Sequence, residues 1–243
     1  QMCIRDRLND LHSKSFSDTQ EDIWSKNIDK TAATNIPYLE TEISLDGDLN
    51  DWPAKSKTEN IKYLETVGVE RSNELVAPKV HLGWRDDGLY AGIEVCDKNI
   101  DGYAVTEETK QSSCRCRSFD CTEIWFSTRP VAEGQNWYDQ HCFDFMFIPA
   151  GDGMIVQWHH RGDTLDADKI SPPDVKYFFK KGAEGYTVEM FIPAGALNGF
   201  EPKADAEMAG NIFVRNWQPR IDSYWACGEF GTPNKWGKMK LVK

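Results

Sequence analysis

Val80-His-Leu-Gly-Trp-Arg-Asp-Asp-Gly-Leu-Tyr-Ala-Gly-Ile-Glu-Val95 decides the fold class. Val80, Leu82 and Trp84 recur at every second position, the period of a half-buried strand. Asp86-Asp87-Gly88 then supplies a turn, as Asp-Gly between alternating runs does. Leu89, Ala91, Ile93 and Val95 continue the period on the return. The stretch therefore predicts a β-hairpin with one buried face.

Outward from this hairpin the same signature repeats. Further strands are predicted at 121–128, 141–148, 154–159, 175–180, 186–192, 211–217 and 238–242, and only Pro193 to Phe200 reads as a helical turn. Many short antiparallel strands with almost no helix specify an all-β protein, an antiparallel β-sandwich or jelly roll. Residues 1–40 are polar and without a sustained period, and read as a mostly irregular N-terminal linker or the tail of an upstream domain; residues 41–243 form the sandwich. The chain of 243 residues is long enough for a substantial single core.

Composition narrows the function. The net charge of −11 argues against nucleic-acid binding, which needs a basic face, and no apolar run approaches the length of a membrane span. Seven cysteines favour an oxidising compartment. Cys96, Cys114, Cys116, Cys121, Cys142 and Cys227 lie in the globular part, as disulfides of undetermined pairing or as structural thiols. Their spacing does not match a zinc site. The charged N-terminus shows no signal peptide. No nucleophile elbow, metalloprotease helix or phosphate loop is present.

The alternation also identifies what turns away from the core. Ile124 and Phe126, then Phe143, Phe145 and Phe147, then Ile212 and Val214 form the inward set. The opposite face combines Glu123, Asp144 and Arg215 with Trp125, Phe213 and Trp217. Flat rings beside carboxylates and a guanidinium suit a sugar, whose C–H faces stack on aromatics while its hydroxyls bind charged groups. The competing expectation is that a loop or second layer covers these rings and makes them ordinary core.

The ordered set of runs resembles the family 9 carbohydrate-binding modules, within the wider group of DOMON-like sandwiches. The resemblance is carried by Ile43-Ser-Leu-Asp-Gly-Asp-Leu-Asn-Asp-Trp52, by Val80 to Tyr90, by Glu94-Val-Cys-Asp97, by Asp120-Cys-Thr-Glu123, by Gly185-Tyr-Thr-Val-Glu189 with Ile192-Pro193, and by Trp225 through Trp236-Gly-Lys-Met-Lys-Leu241. It implies a non-catalytic sandwich that binds a carbohydrate ligand, is secreted, periplasmic or at the cell surface, often holds structural calcium, and is commonly linked to a glycoside hydrolase. It also implies that Trp52, Trp84 and Trp225 are core.

Of the family's sugar-binding positions, Glu123 matches. No Trp stands at the first ring position, near Arg117 to Phe119; the second falls near Phe230; Asp144 and Phe213 replace an Arg and a Gln. The resulting expectation is that Glu123 accepts from hydroxyls, Arg215 donates, Phe230 stacks with Trp217 or Phe213, and Arg117 stacks its guanidinium on the sugar ring. For calcium, Asp46, Asp48, Asp51, Asp97, Asp101 and Asp120 are oxygen-rich positions without an assigned ligand set, and turns or solvated charge are the leading explanation of them. Three alternatives remain: a docking sandwich that binds no sugar, a glycosidase using Glu123 and Asp144, and a haem-binding domain using Met146, Met154, His159 or His160.

Overall fold

A computed structural model describes residues 31–63, 78–100, 120–150, 153–160, 169–170, 174–217, 220–227 and 232–243. Arg117, Phe230, Asp101, Cys114 and Cys116 fall outside the described residues, as do the side chains of Trp217, His159 and His160.

The strands are β1 (Ala33–Pro37), β2 (Lys62–Tyr63), β3 (Lys79–Arg85), β4 (Gly88–Cys96), β5 (Cys121–Ser127), β6 (Cys142–Ala150), β7 (Gly153–His160), β8 (Lys169–Ile170), β9 (Lys176–Lys181), β10 (Gly185–Pro193), β11 (Glu207–Trp217), β12 (Arg220–Tyr224) and β13 (Gly237–Val242). Among the described residues they form two sheets. The larger has nine strands, in the order β1-β13-β11-β5-β6-β7-β8, with β12 and β2 continuing from β11; the smaller runs β3-β4-β10-β9. Each of these pairings is antiparallel except that of β1 with β13.

The two sheets meet through the residues that alternate inward. Leu89, Ala91, Ile93 and Val95 of β4 face Ile124, Phe126, Phe143, Phe145, Phe147, Ile212 and Val214 of the large sheet in one buried cluster. Thr122 and Tyr186, both inside, satisfy each other's hydroxyls at 2.8 Å across this core. Trp84 and Trp225 are buried there as expected; Trp52 is buried elsewhere, in the segment that covers the small sheet. The hairpin predicted at 80–95 is β3–β4, with Arg85 opposite Gly88.

The N-terminal boundary differs from the expectation. Ala33–Pro37 is a strand of the large sheet, and Ile36 belongs to the core. The sandwich therefore includes residues assigned from sequence to a linker. Five residues ending in Pro are too short to display a period, and β1 owes its conformation to the β13 edge that it joins.

Candidate functional site

Each sheet has an outer face, and both carry buried groups. On the small sheet, residues 39–58 lie across Tyr90 and Phe191 and bring Leu39, Ile43, Leu49 and Trp52 against them. Glu189, fully buried on β10, fastens this cover. Its Oε1 accepts from the Trp52 indole at 2.8 Å, and its Oε2 accepts from the backbone N–H of Gly47 at 2.6 Å and of Asp46 at 3.0 Å. Gly47 has a φ of 78°, a left-handed conformation that glycine adopts without strain. Burial raises the Glu189 pKa, and the three donated bonds only partly offset it.

The carboxylates in this segment are engaged with its own backbone. Asp46 accepts from Asp48 N at 2.9 Å, Asp48 from Asn50 N at 3.0 Å, and Asp51 from Ser44 N at 2.8 Å. Asp97 likewise accepts from Asn99 N at 2.8 Å. These are turn contacts, which Asp side chains form readily. Among the described residues no three His, Cys, Asp or Glu side chains converge as a metal cage.

The outer face of the large sheet carries the residues singled out from sequence, and strand register brings them together. Glu123 is paired with Phe213 on one side and Met146 on the other; Trp125 is paired with Asn211 and Asp144; Arg215 is paired with Cys121 and Asp222. Because side chains on one face repeat every second residue, Glu123, Trp125, Asp144, Phe213, Arg215 and Asp222 share a single surface.

Arg215 donates to Asp222 from Nε at 2.8 Å and from a terminal nitrogen at 3.2 Å, a two-point ion pair. Its guanidinium also lies over the Phe213 ring, 5.1 Å from the centroid, as a cation does over an aromatic face. Burial disfavours the arginine charge, but Asp222 outweighs it and holds the pKa above the ordinary arginine value. Glu123 accepts from the Trp125 indole at 3.1 Å, and the Cys121 thiol donates to it at 3.7 Å. Burial pushes the Cys121 thiol well up, with the Glu123 charge adding to the effect.

This face is covered rather than open. Trp125 is 1% exposed, Asp144 0%, Glu123 3%, Phe213 4% and Arg215 8%. Trp125 stacks between Phe213, 5.9 Å away at 17°, and Trp236, 6.3 Å away at 16°. Tyr138 and Val131, from the loop after β5, join the same cluster. The stacking surface anticipated at Trp125 and Phe213 is thus filled by the protein's own rings. The covering layer follows from the loop 128–141, whose fold rests on contacts distant in sequence.

Three residues were not anticipated. Asp222 is set opposite Arg215 by a hairpin with only Gln218-Pro219 between its strands, a spacing visible in the sequence. Trp236 lies at the junction of the last loop and β13. Trp137 is 48% exposed, and its setting in Glu133-Gly-Gln-Asn-Trp137, without alternation, is the signature of a loop aromatic. The four described cysteines, Cys96, Cys121, Cys142 and Cys227, are thiols and form no disulfide.

Similarity to known structures bears on this architecture. A family 9 carbohydrate-binding module from Caldicellulosiruptor kristjanssonii in complex with glucose is 17% identical, covering 86% of this chain and 95% of its own, with a TM-score of 0.54. The same kind of module in complex with cellotriose is 16% identical, with 86% and 93% covered and a TM-score of 0.52. A proposed carbohydrate-binding protein from Bacteroides uniformis ATCC 8492 is 13% identical, with 86% and 99% covered and a TM-score of 0.57. No protein-family model and no curated protein matches the sequence. The chain therefore has the fold of the family 9 carbohydrate-binding modules.

Proposed function

We propose that this domain binds carbohydrate non-covalently at the outer face of its large sheet, without catalysing a reaction. The observation that carries the proposal is the charged set on that face: Glu123, Asp144, Arg215 and Asp222, all nine-tenths or more buried. Buried ion pairs are seldom more stabilising than apolar packing of the same volume, so this chemistry asks for a reason beyond stability. A hydroxyl-rich ligand supplies one, since carboxylates accept from hydroxyls and a guanidinium donates to them.

Glu123 and Arg215 are the binding pair. Arg215 sits near the end of β11, and Cys121 opens β5, directly after the segment that contains Arg117. The connection from β12 to β13 contains Phe230. Arg117, Phe230 and Trp217 are therefore the proposed contacts to the sugar rings. Trp125 and Phe213 are enclosed rings that pack beside Glu123 and Arg215, and Asp144 completes the acceptor set. That modules of this fold are described in complex with glucose and cellotriose supports the ligand class. The domain acts as an extracellular module linked to a carbohydrate-active enzyme, raising its effective concentration on substrate. The described residues contain no helix long and apolar enough to cross a membrane.

Isothermal titration with glucose, cellotriose and a panel of soluble polysaccharides tests this reading. Binding by the wild type that falls about tenfold or more in Glu123→Gln and Arg215→Gln is expected, each being one charged hydrogen bond in a desolvated site. No heat with any sugar ends the proposal in favour of a docking domain.

A further inference from the structure

On the far side of Trp236 the same outer face opens into a groove of about 1020 Å³, floored by β1, β13 and β11. Register places Ala33 beside Lys238, Asn35 beside Lys240, and Lys240 beside Glu207, all on positions that alternate away from the core. Residues 130–133 form one wall and residues 233–236 the other. The walls are tied to each other through Asn234: its backbone N–H donates to Gln135 O at 3.2 Å, and its side-chain amide donates to Glu133 O at 3.1 Å and Asn136 Oδ1 at 2.8 Å. The groove is thus held in shape by hydrogen bonds that use none of its floor.

Two polar atoms in the wall have no hydrogen-bond partner among the described residues: the Trp236 indole N–H, in a residue 8% exposed, and the Asn234 side-chain oxygen. One is a donor and the other an acceptor, and leaving either buried and unpaired is costly. Both atoms are enclosed within the wall, and a hydroxyl, which donates and accepts, is a group able to pair with either once it enters there. Along the floor, small apolar side chains alternate with ammonium, carboxylate and amide groups, and neither sign of charge dominates. The space exceeds what one sugar ring fills and lies at the upper end of the range for ligand sites.

We infer that this groove is a second carbohydrate subsite, one that takes a stretch of an oligosaccharide chain. The Trp236–Trp125–Phe213 stack separates it from the Glu123–Arg215 pair, so the two sites share a wall of rings and no polar group. The inference rests on the carbohydrate reading above, yet it fails separately from it.

The test uses the full chain, with cellohexaose, xylohexaose and glucose as probes. Ala33→Trp fills the floor from an exposed strand position, and Asn35→Trp does so one step along; circular dichroism checks that both fold. The expected result is about a tenfold loss of hexasaccharide affinity in these variants with glucose affinity unchanged. The Trp236 indole N–H resonance, assigned with Trp236→Phe, should shift with the hexasaccharides and stay in place with glucose. Hexasaccharide binding that survives Glu123→Gln and is lost in Ala33→Trp upholds the groove even if the Glu123 site fails. Binding lost in Glu123→Gln but untouched by either groove variant, with a stationary Trp236 signal, overturns the groove and leaves the first site standing. Absence of binding by any probe overturns both.

Discussion

Glu189 and Glu123 are both buried glutamates on outer faces of the sandwich, and each accepts a tryptophan indole N–H. Their partners differ in where they come from. Trp52, Gly47 and Asp46 reach Glu189 from a segment more than a hundred residues earlier, so the carboxylate closes a cover over the small sheet. Trp125 and Cys121 reach Glu123 from its own strand, contacts that local strand geometry provides without any cover. Around Glu189 the neighbours are a turn and apolar rings, with the Asp51 charge acting from the same segment. Around Glu123 the adjacent strands bring another carboxylate and an ion-paired arginine. The same bond therefore serves as a latch in one place and as orientation within a charged cluster in the other.

The comparison breaks first at the latch. Glu189→Ala leaves the Trp52 indole and two backbone N–H groups without their acceptor, and should cost about 3–5 kcal/mol in urea unfolding. A loss no greater than that of a surface substitution would show that residues 39–58 are held by their apolar contacts alone. Trp125→Ala removes a ring enclosed between Phe213 and Trp236. It should also cost about 3–5 kcal/mol, marking the ring as core first. A stable Trp125→Ala protein with weakened sugar binding would instead make that ring a ligand contact.

Glu123→Gln keeps an oxygen for the indole and should change stability by about 1 kcal/mol or less, while sugar affinity falls. Unfolding midpoints and titration calorimetry on the same sample separate the two effects. The smallest effect is on pH dependence. The folded pKa of Glu189 is raised above its unfolded value. Its contribution to stability is therefore complete below the ordinary glutamate pKa of about 4.3 and fades as pH rises through the folded value. Relative to Glu189→Gln, the wild type should lose stability across that interval; an unchanged difference between the two would remove burial as the dominant influence on this carboxylate.

Most of the sandwich was legible because its longer strands follow the period of two. Phe143, Phe145 and Phe147 against Asp144 and Met146 gave the two faces of β6 correctly. β1 and β12 were not recognised, since five-residue strands such as Ala33–Pro37 and Arg220–Tyr224 contain too few periods to stand out. Sequence placed Glu123, Trp125, Asp144, Phe213 and Arg215 on one face, which follows from parity alone. Whether that face is covered depends on Tyr138 and Trp236, which approach from loops with no periodic signal.

Alternation and turn chemistry by themselves determined that this chain is a two-faced β structure and which side chains share a face, because the pleat fixes side-chain direction residue by residue. Only the tertiary structure decided that the aromatic half of the outer face is enclosed while the β1–β13 half forms a groove. That outcome depends on how loops distant in sequence pack over the sheet, and such packing is set by shape and contact rather than by any local period.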